Sequence, residues 1–212
     1  VNEGGSGIVS YIKRVARQAQ ALIIKSIVFE EYIGRYLQKV YGFKYTVVSH
    51  PIILSLDEGG AKCRFDIFSP SGSTPFDVHV FLSKYSVLAN ASVCVKDEGI
   101  ETFSELFIQK RYFDDYDTYM LSAKIIIIGA EFEYRVSGVF YEALATSAYI
   151  VMKKCKFSIN VIKKFPEKIR IYDDFSELKV LLNGLMISDV QPEPIDLDLF
   201  NIQSSLSLIK GN

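Results

Sequence analysis

The chain has 212 residues, of which 49% are hydrophobic and 13% aromatic, and its formal net charge is -1 at pH 7. This apolar content supports a sizeable core and excludes an intrinsically disordered protein. The near-neutral charge excludes a protein-wide basic field, so any contact with nucleic acid must come from a local patch.

An apolar seam runs through the first forty residues. Its spacing alternates between four and three, with members Ile8, Ile12, Val15, Ala19, Leu22, Phe29, Ile33, Tyr36 and Val40. A period of 3.5 residues predicts a long N-terminal helix. Two interpretations are open: the helix packs entirely on its own domain, or residues 8–24 contact a second copy of the chain or a protein partner.

Residues 26–41 carry the acids Glu30 and Glu31 on this predicted helix, which ends at Gly42 and is followed by a β-branched strand. Next come two predicted strands, residues 61–68 and 76–82, separated by a turn-rich link. Side chains alternate faces along a strand, so a hairpin of these two would place Asp66, Asp77 and His79 on one face. Converging carboxylates repel one another unless they are protonated or bridged by a hard cation.

These residues resemble the motif of the PD-(D/E)xK nuclease superfamily, which has a restriction-endonuclease-like α/β fold with a mixed central sheet flanked by helices. The resemblance implies that Glu31 is the helix acid, with Glu30 as the alternate, that Asp66 is the strand acid, and that Asp77 is the acid of the triplet. Together they would hold Mg²⁺ or Mn²⁺ as metal ligands. His79 stands where the family has lysine and would act as general base or as a metal ligand.

The lysine-to-histidine departure leaves two functions open. The first is a divalent-metal-dependent nuclease that hydrolyses phosphodiester bonds in DNA, with Asp66, Asp77 and His79 as its catalytic residues. The second is a catalytically inactive member of the same fold that serves as a structural or nucleic-acid-binding subunit, because a neutral imidazole replaces a fixed positive charge. Lys84 follows five positions later and replaces the lysine only if the strand twists there.

The remaining predicted elements follow the order of the same family. They are a helix over 101–114, a buried strand over 124–132, a helix over 139–156, strands over 158–162 and 168–172, and a helix over 175–186. The resemblance covers about residues 25–165. The predicted domains are a leader and helical extension (1–24), the α/β core (25–186) and an acidic C-terminal tail (187–212).

A basic stretch lies between residues 153 and 170, where Glu167 is the one acid. Two interpretations are open, a solvated face around a helix end and a nucleic-acid-binding patch. The residues of the second interpretation are Lys153, Lys154, Lys156, Lys163 and Lys164.

A third function is a nucleotide-binding α/β domain that uses residues 125–131 as a strand and turn. This function ranks below the other two because neither nucleotide-binding motif, G-x-G-x-x-G or G-x-x-x-x-G-K-[ST], is present. The three cysteines show no metal-ligand spacing, and no secretory signal or membrane span is recognisable, which predicts a cytoplasmic protein. In the tail, Gln203, Leu206 and Ile209 resemble part of a sliding-clamp-binding box without its aromatic pair.

Overall fold

The computed structural model describes residues 25–50, 65–99 and 101–195. The chain divides into two units, one formed by residues 1–50 and 199–212 and the other by residues 51–198. No helix in the described ranges is both long enough and apolar enough to cross a membrane.

The described part of the first unit is a strand, a helix and a second strand. β1 (Lys25–Val28) pairs in parallel with β2 (Lys44–Val47), and α1 (Glu31–Tyr41) connects them. The helix ends at Gly42 as predicted, with a φ of 76° that an L side chain rarely adopts. The predicted long N-terminal helix is not continuous, because Lys25–Val28 is a strand. Residues 8–24, to which the partner contact was assigned, lie outside the described residues.

The second unit alternates strands and helices. Its elements are β3 (Phe65–Ser69), α2 (Phe76–Ala89), β4 (Val93–Lys96), β5 (Thr102–Phe103), β6 (Phe107–Lys110), α3 (Tyr116–Ser122), β7 (Ala123–Ile128), α4 (Gly138–Leu144), β8 (Tyr149–Lys153), α5 (Lys156–Val161), β9 (Ile169–Tyr172) and α6 (Phe175–Ile187). Over the described residues the strand order is β5-β6-β4-β3-β7-β8-β9, and every pairing is parallel except that of β5 with β6. The predicted α/β class, with helices flanking a central sheet, is confirmed.

The core lies on both faces of the strands at the middle of this sheet. The four isoleucines of β7, residues 125–128, have no exposed surface, as a strand covered on both faces requires. Ile125 and Ile127 belong to the cluster that contains Leu82 of α2 and Leu182 of α6. Because side chains alternate along a strand, Ile126 and Ile128 point to the opposite face.

Four predicted elements are wrong. Residues 76–82 form the first half of α2, since Val78, Leu82 and Tyr85 recur at helical spacing and all face the core. Residues 101–114 contain strands β5 and β6, which extend the sheet beyond β4. Residues 139–156 divide into α4 and the buried strand β8, and residues 158–162 lie in and just after α5.

The order of the strands creates a switch point between β3 and β7. From β3 the chain passes through α2 to β4 on one side, whereas from β7 it passes through α4 to β8 on the other side. The two connections therefore diverge at the carboxyl ends of neighbouring parallel strands. In open α/β sheets a ligand crevice forms at this position.

Candidate functional site

A cavity of about 310 Å³ opens at the switch point. We call it the switch-point cavity. Its wall comes from residues that follow β3 and β7, from the last residues of β8 and β9, and from the loop and first turns that begin α2 and α6. The lining residues are Pro75, Asp77, Val78, Gly129, Glu131, Lys153, Tyr172, Asp173, Asp174 and Phe175.

Three of the four carboxylates in this wall accept hydrogen bonds from neighbouring protein groups. Asp173 accepts a hydrogen bond from Lys154 Nζ at 2.7 Å, which lowers the pKa of Asp173. Asp174 caps α6 by accepting the amides of Ser176 and Glu177 at 2.8 and 2.9 Å. Asp77 Oδ1 accepts the amide of Val78 at 2.9 Å. Glu131 is the remaining acid of the lining, and both Asp77 and Glu131 are exposed. Carboxylates in this setting accept hydrogen bonds from the hydroxyl groups of a ligand.

Tyr172 contributes a buried phenol to the same wall. The residue is 1% exposed, and its hydroxyl has no hydrogen-bond partner among the described protein groups. Burial raises the pKa of Tyr172, and the negative charges of Asp77 and Glu131 raise it further. The phenol is therefore protonated at neutral pH. Lys153 Nζ lies 5.6 Å from the centre of its ring and donates a hydrogen bond to the carbonyl of Asp173.

Gly129 permits close approach of the end of β7 to the segment before α2. A Cβ atom at this position would lie 2.9 Å from Thr74 Cγ2 and 3.3 Å from both methyl groups of Val78. Glycine therefore sits where the backbone has no room for a side chain.

The predicted carboxylate pair is not brought together. Asp66 lies near the amino end of β3, where its Oδ2 atom accepts hydrogen bonds from the amide and hydroxyl of Ser92, both at 2.8 Å. Asp77 lies in the first turn of α2, beyond the carboxyl end of the same strand. Three residues of strand, roughly 10 Å, separate Asp66 from that end. Asp77 lines the switch-point cavity and Asp66 does not.

His79 also departs from the predicted arrangement, because it belongs to a helix. Residues two apart on a helix are rotated by roughly 200° about its axis, and accordingly Asp77 is exposed whereas His79 is only 4% exposed. The Nδ1 atom of His79 lies 2.8 Å from Asp97 Oδ2. No sequence pattern indicated this pair, whose members are 18 residues apart.

Glu31 begins α1 in the first unit. Tyr45 donates its hydroxyl hydrogen to Glu31 Oε1 at 2.7 Å, and Arg35 Nε approaches the same oxygen at 3.1 Å. These contacts, that of Tyr45 first, lower the pKa of Glu31. The alternate acid, Glu30, is buried. Across residues 25–50, 65–99 and 101–195, no three His, Cys, Asp or Glu side chains are close enough to hold a metal ion.

The basic stretch is largely paired with acidic or carbonyl groups. Lys154 binds Asp173, and Lys156 binds Glu133 at 2.8 Å. Lys163 and Lys164 are exposed beyond the end of α5. Lys168 is buried.

Sequence reasoning missed Glu131, Lys153, Tyr172 and Asp173 as residues of one site. A signal was nevertheless present, because each of them ends or follows a buried strand. The carboxyl ends of parallel strands meet at one edge of a sheet, so these residues converge once the strands are recognised as parallel.

The fold is similar to two solved structures. The chain aligns with TarM with a TM-score of 0.66 and 13% sequence identity, over 100% of this chain and 47% of TarM. It aligns with WaaG, a glycosyltransferase involved in lipopolysaccharide biosynthesis, with a TM-score of 0.58 and 13% identity, over 88% of this chain and 62% of WaaG. The chain thus spans about half the length of the first of these proteins. No protein-family model matches the sequence, and no curated protein matches it.

These similarities correct the resemblance drawn from the motif. The fold is a parallel-dominated, Rossmann-like sheet flanked by helices, as in TarM and WaaG, and the resemblance to the PD-(D/E)xK superfamily is wrong. The predicted DNA nuclease is therefore wrong, and so is the inactive nuclease-fold subunit, because both require that core. The physical cause of the error is the segment Phe76–Leu82, whose assignment to a strand produced the apparent acid-x-histidine triplet.

Proposed function

We propose that this chain is the part of a glycosyltransferase that binds the activated sugar, and that it holds a nucleotide-linked sugar in the switch-point cavity. The observation that carries the proposal is the position of this cavity, at the carboxyl ends of β3 and β7 in a doubly wound parallel sheet. Nucleotides bind at this position in such sheets. The similarity to WaaG supports sugar transfer among the reactions that nucleotide-binding sheets perform.

The lining suits a ligand rich in hydroxyl groups. Asp77 and Glu131 accept hydrogen bonds from ribose or sugar hydroxyls, and the Tyr172 hydroxyl gains a partner that the described protein groups do not supply. Residues 125–131, which the sequence suggested as a nucleotide-binding strand and turn, supply Gly129 and Glu131 to this wall.

The lining has more acids than bases, so its side chains alone do not attract the phosphate groups of the ligand. The first turn of α2 lies at the cavity, and the helix N-terminus attracts anions. Lys153 is the basic residue among the lining residues. Asp77 and Glu131 would repel a diphosphate unless a divalent cation accompanied it, so we propose that binding is stronger with Mg²⁺.

A binding panel tests the proposal. The full chain is titrated with UDP-, dTDP-, GDP-, CDP- and ADP-linked glucose, with Mg²⁺ and with EDTA, and saturation-transfer NMR detects the bound ligand. We expect at least one nucleotide sugar to bind. With Mg²⁺ present, Glu131→Gln should weaken it by about tenfold, because a charge-assisted hydrogen bond becomes a neutral one. Glu133→Gln is the matched control, since Glu133 pairs with Lys156 and does not line the cavity.

Tyr172→Phe separates a ligand contact from a structural one. Removing a buried hydroxyl that lacks a protein partner should leave the folded chain at least as stable, while it weakens binding of the nucleotide sugar. The proposal fails if no compound of the panel binds, or if the Glu131 and Glu133 variants bind equally.

A further inference from the structure

A second cavity, of about 230 Å³, lies between α2 and the strands β5 and β6. We call it the α2–β6 cavity. It shares no lining residue with the switch-point cavity, although α2 contributes to both. Its lining residues are Phe76, His79, Val80, Ser83, Lys84, Thr102, Phe107 and Gln109.

The imidazole of His79 in this wall is held by a hydrogen bond with the carboxylate of Asp97. Asp97 Oδ2 lies 2.8 Å from His79 Nδ1 and accepts a hydrogen bond from Gln109 Nε2 at 2.8 Å, while Asp97 Oδ1 accepts the amide of Gly99 at 2.8 Å. A carboxylate oxygen accepts hydrogen bonds, so the hydrogen between Asp97 Oδ2 and the imidazole is placed on Nδ1. The pair therefore sets the orientation and the tautomer of His79.

The other ring nitrogen has no protein partner. His79 Nε2 is buried, and no described protein group forms a hydrogen bond with it. A buried polar atom left without a hydrogen bond is destabilising. A fixed imidazole that lines a cavity and keeps one nitrogen unpaired is the arrangement of a ligand-binding residue.

The charges of the lining indicate the sign of the ligand. Lys84 is exposed and cationic, Ser83 and Thr102 provide hydroxyl groups, and no acidic residue is among the lining residues. Asp97 engages Nδ1, so in a protonated imidazole the N–H at Nε2 is the donor left for a ligand. The switch-point cavity has the opposite character, with four carboxylates in its wall.

We propose that the α2–β6 cavity binds a phosphate group, either inorganic phosphate or the phosphate of a small organic ester. Phosphate can form a hydrogen bond with Nε2 in both protonation states of the imidazole. The imidazolium donates a hydrogen bond to a phosphate oxygen, and the neutral imidazole accepts one from a protonated phosphate oxygen. Lys84 supplies the opposite charge, and the aromatic rings of Phe76 and Phe107 offer an apolar surface to the organic part of an ester.

Histidine NMR measures this binding directly. The chain has two histidines, and the second, His50, belongs to the first unit. The Cε1–Hε1 signals of the full chain are followed during titration with inorganic phosphate, with phenyl phosphate, and with sodium chloride at matched ionic strength. A His50→Gln variant assigns the two signals. We expect a saturable shift of the His79 signal with both phosphates and none with chloride, and the tighter of the two phosphates identifies the source.

Two lysine variants test whether the cavity itself binds the anion. Lys84→Met should weaken phosphate binding by about tenfold, the effect of one lost charge-assisted contact. Lys179→Met is the matched control, because Lys179 is exposed on α6 and lines neither cavity. Neither variant removes a buried group, so both should fold. The proposal is overturned if phosphate causes no saturable shift of His79, if the two lysine variants bind phosphate equally, or if glycerol shifts the signal as strongly as phosphate does.

Discussion

Lys168 makes the stability of this protein depend on pH. The side chain is 2% exposed, and its Nζ atom donates hydrogen bonds to the carbonyl of Thr146 and, at 3.2 Å, to the carbonyl of Glu193. Burial lowers the pKa of Lys168 from 10.5 to about 8, and the negative charge of Glu193 opposes this shift only in part. The folded chain therefore holds this proton less tightly than the unfolded chain does.

The sign of the effect follows from this difference. Below about pH 8 both states are protonated, and the folded state carries the full cost of the buried charge, about 3 kcal/mol for a pKa lowered from 10.5 to about 8. Between about pH 8 and 10.5 the folded state has lost the proton and the unfolded state still binds it. The free energy of unfolding therefore rises with pH, by at most about 1.4 kcal/mol per pH unit.

The substitution Lys168→Met removes the titrating group and keeps an unbranched side chain of similar length. Urea unfolding followed by circular dichroism gives the free energy of unfolding of both proteins between about pH 7 and 9.5. The parent should gain about 2 kcal/mol relative to Lys168→Met over this interval. Tyrosines with a raised pKa, such as Tyr116 and Tyr172, lower stability above about pH 10, but they act on both proteins alike.

A control and a refuting result complete the test. Lys163→Met removes an exposed lysine and should keep the rise with pH that the parent shows. Parallel pH profiles for the parent and Lys168→Met would refute the reasoning, because they would show that Lys168 binds its proton equally in the folded and unfolded states.

Two further predictions concern stability near the switch point. Gly129→Val should lower the free energy of unfolding by roughly 1 to 3 kcal/mol, because its Cβ would lie 2.9 Å from Thr74 Cγ2. Urea unfolding measures the loss, and Gly138→Ala is the control because its Cβ meets nothing within 4 Å. An equal loss of stability in both variants would contradict the steric explanation. Asp174→Ala should lower the free energy of unfolding by about 1 kcal/mol, because it removes the side chain that accepts two amides of the first turn of α6. Asp174→Asn should retain most of that stability, and thermal unfolding that ranks the asparagine variant with alanine would argue against a capping role.

Much of the second half of the fold could be predicted from the sequence. The apolar run of β7, the strand β9 and the helix α6 lie where the pattern placed them, because a long apolar run and an acid before a helical stretch are local signals. The helix α2 was missed although Val78, Leu82 and Tyr85 carry a helical period. Its first seven residues are rich in β-branched and aromatic side chains, and over so short a window the two periods cannot be distinguished.

The candidate sites depended on the tertiary structure. The sequence identified Asp77 and His79 as chemically interesting, but it placed them together in one metal site, whereas the helix α2 directs them into the walls of two different cavities. The sequence by itself determined the α/β class and the residues able to fill a core, because apolar content and local periodicity depend only on residues close together along the chain. Only the tertiary structure decided the strand order, the switch point between β3 and β7 and the His79–Asp97 pair, because these arise from hydrogen bonds between segments far apart along the chain.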